Sequence, residues 1–145
     1  MKRNEALTPL SRDHHHALAV AQQLRRANEQ TAVDARQAFL SFWHAEGHHH
    51  FRVEEDVLLP AFAHHVPADH EAVVRVLVEH VELRARATSV EAQQPNHDDL
   101  RELGEALAKH IRHEERVLFP LIEATLSEAE LAALGQVVAV AEARG

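Results

Sequence analysis

His50-Phe-Arg-Val-Glu54-Glu-Asp-Val-Leu-Leu-Pro60 and His110-Ile-Arg-His-Glu114-Glu-Arg-Val-Leu-Phe-Pro120 share one skeleton, His-x-x-x-Glu-Glu-x-Val-Leu-x-Pro, repeated sixty residues apart. A recurrence of that length is not a chance event, and it predicts a pseudo-twofold molecule built from two helical hairpins. Residues four apart on a helix are separated by about 40° around its axis, so His50 projects with Glu54 and His110 with Glu114. Each pair falls on the apolar stripe of its helix rather than on the wet face. Imidazoles and carboxylates turned toward a core are costly unless they are paired or bound to metal. The plainer alternative is a His–Glu hydrogen bond within each helix, used twice for packing. Glu55 and Glu115 fall about 100° further round and are expected as solvated groups or inter-helix ion pairs.

Helical periodicity continues on both sides of these motifs. Thr8-Pro9 reads as a helix start, with Thr8 as cap, and a stripe through Leu10, His14, Ala17, Ala21 and Leu24 runs to an end near Asn28. Thr31 with Asp34 offers a second cap, before a long helix through Phe39, Trp43, His50, Glu54 and Ala61. Pro60 is expected to bend or end its last turn, and Pro67 marks the connection. A third helix from about Asp69 carries Val73, Leu77, His80, Leu83 and Ala87. Gln93-Gln94-Pro95-Asn96 is a loop, and Asn96 or Asp98 caps a fourth helix through Leu103, Leu107, His110, Glu114 and Leu121. Ser127-Glu-Ala-Glu130 is a capping box opening a short fifth helix, expected to cover one end or flank and to carry no chemistry.

The expectation is an all-α fold: an up-down-up-down four-helix bundle with a short C-terminal fifth helix. Residues 1–145 form one domain, with the bundle over about 8–125 and the last helix over about 127–143. With no cysteine, disulfides, thiolate zinc sites and Cys-ligated iron–sulfur clusters are excluded. A net charge of −8 with no basic stripe argues against nucleic acid as a partner. The N-terminal charges have no apolar run behind them, and Val137 to Ala141 is too short to cross a bilayer, so the cytoplasm is the default location.

Histidine is the unusual component, at 14 residues. His14 in Asp13-His14 and His80 in Glu79-His80 both lie on inner stripes and face the two repeated motifs. His15 points about 100° away from His14 and is the second choice there. His14, His50, Glu54, His80, His110 and Glu114 are therefore the candidate metal ligands. Their mixed nitrogen and oxygen donors suit non-haem iron, with manganese or zinc as substitutes. The symmetry implies two ions, bridged by Glu54 and Glu114 with the His as terminal ligands. Six protein ligands leave open positions for a small molecule such as dioxygen, peroxide or nitric oxide. His48 and His49 are expected at the surface, and His64, His65, His70 and His97 at helix ends or loops, where an imidazolium suits a C-terminal dipole.

Leu10-Ser-Arg-Asp-His14, His50 to Pro60, Glu79-His80 and His110 to Pro120 together resemble the hemerythrin-like, His-His-Glu cation-binding family over roughly residues 8–125. The resemblance implies a four-helix bundle around a carboxylate- and oxo-bridged di-iron site. It implies oxygen binding or sensing, iron handling, repair of iron centres, or peroxide decomposition, without fixing which. Oxygen carriers of the family place a second His one turn from the first on the third helix. Here Val76 and Arg84 hold those positions, so a fifth His is lacking and plain oxygen carriage is put in doubt. Glu46 and His113 are candidates to fill the gap, more readily as outer or surface residues. A metal-responsive binding module without turnover and a structural zinc-binding bundle stand as the alternatives to a di-iron protein that binds, senses or reduces a small ligand.

Overall fold

The fold is known from a computed structural model that describes residues 2–93 and 96–145. Five helical stretches and no strand occur among the described residues. Helix α1 is Thr8–Arg25 and α3 is Glu71–Ala92. Helix α2, over 32–62, is continuous but changes pitch. Ala32–Phe42, His48–Val53 and Leu59–Phe62 are α-helical, while Trp43–Gly47 and Glu54–Leu58 are π-helical turns. Helix α4, over 97–125, likewise joins His97–His113 to Phe119–Thr125 through a π turn at Glu114–Leu118. Helix α5 is Glu128–Ala143.

The π turns answer the proline question. Pro60 neither ends nor sharply breaks α2, which continues to Phe62. A proline has no N–H for the carbonyl four residues back and its ring crowds that carbonyl. In both motifs the wide turn opens on the Glu and closes two residues before the proline, so the misfit is absorbed upstream. Single π turns of this kind are common at functional sites.

Several ends differ from expectation. Thr8 lies inside α1; its hydroxyl donates to the Asn4 carbonyl at 3.2 Å, and Leu7 holds the cap position without a side-chain bond. Helix α1 stops at Arg25, and Asn28 organises the following turn by accepting from the N–H groups of Gln30 and Thr31 at 2.9 and 3.0 Å. Thr31 precedes α2 but caps nothing; its hydroxyl accepts from the Asn28 N–H at 3.0 Å. His70 caps α3, its Nδ1 accepting from the Ala72 N–H at 3.1 Å, which needs a bare ring nitrogen at an N-terminus rather than an imidazolium at a C-terminus. Asn96 caps α4 through the N–H groups of Asp98 and Asp99. Gln94 and Pro95 of the expected loop lie outside the described residues. The Ser127–Glu130 capping box is present in full.

Helix α1 packs along α4 and α2, and α3 packs on α4 and α2, an arrangement consistent with a four-helix bundle. Two apolar cores form. Ala17, Leu24, Phe39, Trp43, Leu83, Leu103 and Ile111 belong to one, and Leu10, Leu58, Val76, Leu118 and Ile122 to the other. On every long helix the candidate ligands lie where one core gives way to the next: His14 between Leu10 and Ala17, His80 between Val76 and Leu83, Glu114 between Ile111 and Leu118. No helix among the described residues is long and apolar enough to cross a membrane.

Close approach of α1 to α4 depends on Gly104. A Cβ there would lie 2.7 Å from the Ala21 carbonyl oxygen and 2.8 Å from the Arg25 nitrogen, both backbone atoms that cannot turn aside. Gly104→Ala is expected to destabilise the chain by about 1–3 kcal/mol in urea denaturation, despite the better helix propensity of alanine. An unchanged or raised midpoint would contradict this packing.

Candidate metal centre

All six candidate ligands converge, and they are the only buried polar or charged residues among those described: His14, His50, Glu54, His80, His110 and Glu114. They form two overlapping groups. His14, His50, Glu54 and Glu114 make one, and Glu54, His80, His110 and Glu114 the other, each with donor atoms within 4.8 Å of one another. Both carboxylates belong to both groups, and each divides its oxygens between them. Glu54 Oε2 is 3.2 Å from His50 Nε2 and Glu54 Oε1 is 3.1 Å from His80 Nε2. Glu114 Oε1 is 2.9 Å from His14 Nε2 and Glu114 Oε2 is 3.4 Å from His110 Nε2.

These approaches are not ordinary pairing. Both oxygens of Glu54 and of Glu114, and Nε2 of His80 and of His110, are buried without a hydrogen-bond partner. Their distances are short but their directions are wrong for hydrogen bonds, because the lone pairs aim at shared space rather than at one another. His14 Nε2 and His50 Nε2 face each other at 3.1 Å. Cis donors around an octahedral ion with bonds of about 2.1 Å lie about 3.0 Å apart. Leaving so many buried groups unmatched is costly, and the donor set fits two cations.

The outward ring nitrogens explain how the Nε2 atoms are aimed. His14 Nδ1 bonds Glu115 at 2.6 Å, His50 Nδ1 bonds Asp13 at 2.8 Å, His80 Nδ1 bonds Glu55 at 2.6 Å, and His110 Nδ1 bonds Glu79 at 2.8 Å. An Nδ1–H donated to a carboxylate fixes both tautomer and ring angle, leaving Nε2 bare toward the interior. The four bonds join α1 to α4, α1 to α2, α3 to α2 and α3 to α4, closing a ring around the site. Arg84 grips Glu55 at 2.7 and 3.1 Å, while Ser11 and Arg3 hold Glu115 at 2.8 and 3.3 Å. Phe51 stacks on His80 with ring centres 3.8 Å apart, and Phe119 stacks on His14 at 5.3 Å.

Of the two expectations for Glu55 and Glu115, solvated groups or inter-helix ion pairs, the structure shows the second, with partners the sequence did not name. Sequence reasoning noticed Asp13-His14 and Glu79-His80 but not that each acidic residue serves the His of the neighbouring helix. The repeated dipeptide was the available signal. His15, Glu46 and His113 stay out of both groups, and Glu46 pairs with His16 instead. Val76 is fully buried in the core and Arg84 is taken by Glu55, so the position of a fifth His is filled by other work. His48 is exposed as expected, but His49 is partly buried and donates to the Ala141 carbonyl at 2.8 Å. Helix α5 is not chemically empty either. Glu142 comes together with Asp13 and His50, and burial with the Asp13 charge pushes its carboxyl up to about 8. Nothing in the sequence around Glu142 marks it.

Buried charge sets the electrostatics. Burial opposes the charge on His50 and His80, but Glu54 with Asp13 raises His50 to about 10, and Glu54 with Glu55 raises His80 to about 9. Burial likewise opposes ionisation of Glu54, yet the surrounding imidazoles hold it well below the usual carboxylate range. Glu114 is pushed up, first by burial and then by the Glu54 charge beside it. The metal-free chain therefore stores protons where cations would sit.

Four imidazoles and two shared carboxylates enclosed by helices define a cation-binding helical protein. The hemerythrin HHE cation-binding domain matches residues 6–122, and the chain belongs to that family. No curated protein and no solved structure gives a significant match.

A pH test separates the two forms of the site. Raised imidazole values stabilise the metal-free fold fully below the unfolded value of 6.5, and that contribution is lost as pH climbs through about 9 and about 10. Thermal melts of metal-free protein should fall across this range. Metal-loaded protein, whose ring nitrogens carry no displaceable proton, should not show that loss. Parallel curves for the two forms would contradict the assignment.

Proposed function

We propose that the chain is a non-haem di-iron protein, an up-down-up-down four-helix bundle that binds, senses or reduces a small ligand such as dioxygen, peroxide or nitric oxide. The observation that carries this reading is the sharing of both Glu54 and Glu114 between two groups of four donor residues. His14 and His50 would hold one iron, His80 and His110 the other, with the two carboxylates bridging. Imidazole with carboxylate suits iron, and manganese or zinc can occupy the same donors. Bound there, iron would supply open coordination positions and electron-transfer chemistry for the ligand.

The protein supplies the surroundings. A cavity of about 10 Å³ adjoins the centre, lined by Phe42, Trp43, Phe51, Leu107 and Ile111 beside His14, His50 and His110. Such a space is near the lower limit for one water-sized molecule. Its apolar wall favours a small neutral ligand and excludes larger polar ones. Ala17 and Gly47 border it, and the single methyl of one and the bare Cα of the other leave it open. A Cβ on Gly47 would lie 2.8 Å from the Phe42 ring. Proton movement falls to the outer carboxylates, since Asp13 and Glu142 lie against His50. A metal-responsive binding module is the second reading, favoured by the contacts that tie the last turn of α5 to His49 and Asp13.

Anaerobic loading with ferrous iron, followed by metal analysis and the ultraviolet-visible spectrum after oxidation, tests the reading. About two irons per chain are expected, and Glu54→Ala or Glu114→Ala should abolish the dinuclear spectrum, since each removes a ligand from both ions. One iron or none in the wild-type chain would overturn it. Ala17→Val should leave the iron content intact and weaken or slow nitric oxide or azide binding by about tenfold. Unchanged ligand binding in that variant would turn the assignment toward the module without turnover.

A further inference from the structure

Helix α3 has a second face. Its inner side carries Val73, Val76, His80, Leu83 and Ala87 into the core. On the opposite side Val74, Leu77, Val78 and Val81 are 42, 40, 49 and 66% exposed. Those four are half of the eight large exposed apolar side chains among the described residues, gathered on two turns of one helix. With 100° per residue they lie within about 60° of Val74, and exposed Ala85 falls in the middle of the same stripe. A helix in a monomer needs one apolar stripe to reach its core; two opposed stripes mark a second packing partner.

Charges along one edge of the stripe say which partner. Glu71, Arg75, Glu82 and Arg86 are all exposed, and all fall between about 60° and 120° from Val74 on the same side. Read along the helix, their signs are negative, positive, negative, positive. Reversed, the order is the complement of itself. A two-fold axis crossing α3 between Val78 and Glu79 would set Arg75 opposite Glu82 of the partner subunit. The same axis would set Glu71 opposite Arg86 of the partner subunit, and it runs through the apolar stripe, bringing Val78 against its own copy. Parallel pairing about a two-fold would leave the two charged edges on opposite sides of the contact, so only the antiparallel arrangement makes these pairs. Among the described residues Arg75 has only Glu79 at 3.2 Å and Arg86 only Glu102 at 3.5 Å, exposed pairs that hold an arginine weakly.

We infer that this face of α3 docks against α3 of a second copy of the chain, antiparallel, in a two-fold dimer. Because α3 carries His80 and Glu79 on its inner side, the dimer would brace the helix that closes the metal centre while leaving its ligands untouched. The contact rests on sequence order and exposure and is independent of which metal is bound.

Sedimentation equilibrium of the metal-loaded full chain at about 100 µM tests this. The expected mass is twice the 16.3 kDa of one chain. Val81→Glu, which places a charge at the most exposed point of the stripe, should weaken dimerisation by at least about tenfold, and so should Arg75→Glu. The paired exchange Arg75→Glu with Glu82→Arg restores opposite signs across the axis and should recover the dimer. Unaltered iron content and circular dichroism would show that each variant is folded; should Val81→Glu fail there, the charge exchange decides alone. A monomer at that concentration, a dimer indifferent to Val81→Glu, or a paired exchange as dissociated as Arg75→Glu alone would overturn the inference. The last outcome would also be expected if the stripe served a different protein.

Discussion

Two carboxylates, Glu54 and Glu114, sit at zero exposure in the middle of the molecule, each with both oxygens unpaired and each reaching toward imidazoles on two sides. No lysine or arginine reaches them among the described residues. Glu54 stays ionised only because imidazoles collect protons around it, and Glu114 is driven toward the neutral acid by burial and then by its neighbour's charge. A buried array of this kind is weak support for a fold on its own, since well-packed apolar groups would serve at least as well. Its arrangement makes physical sense as a place for positive ions, and the two apolar cores on either side keep water from screening it.

Everything around the carboxylates serves to hold six donors in place. The outer ring of Asp13, Glu55, Glu79 and Glu115 turns four imidazoles inward and ties each long helix to two others. Arg84 and Arg3 extend that ring toward the surface. The π turns at 54–58 and 114–118 begin at the two central Glu residues, so the pitch of the helix changes where the buried carboxylate sits. Proline two residues beyond each turn is the local reason for the change. Stability and site geometry are therefore one construction, and a substitution in the outer ring would loosen both.

Much of this was legible in the chain. The repeat from His50 to Pro60 and from His110 to Pro120 pointed to four of the six converging residues, because a four-residue spacing on an apolar stripe can only point inward. His14 and His80 needed the stripe as well as the acidic residue before them. The rest depended on which helix lies beside which. Asp13 serves His50 and Glu79 serves His110, each on a different helix, and no spacing within one helix announces that. Glu142 reaches the site only because α5 folds back along the chain, and its own neighbourhood looks like any solvated helix end. Thr8 and Thr31 carried the right chemistry for caps, but Asn4 and Asn28 offered their hydroxyls better local partners.

The most direct test of the shared-carboxylate centre is anomalous diffraction at the iron edge from crystals of the iron-loaded protein. The expected result is two anomalous peaks per chain, both between Glu54 and Glu114, one beside His14 and His50 and the other beside His80 and His110. A single peak, or peaks confined to the exposed histidines such as His44 and His48, would contradict the account.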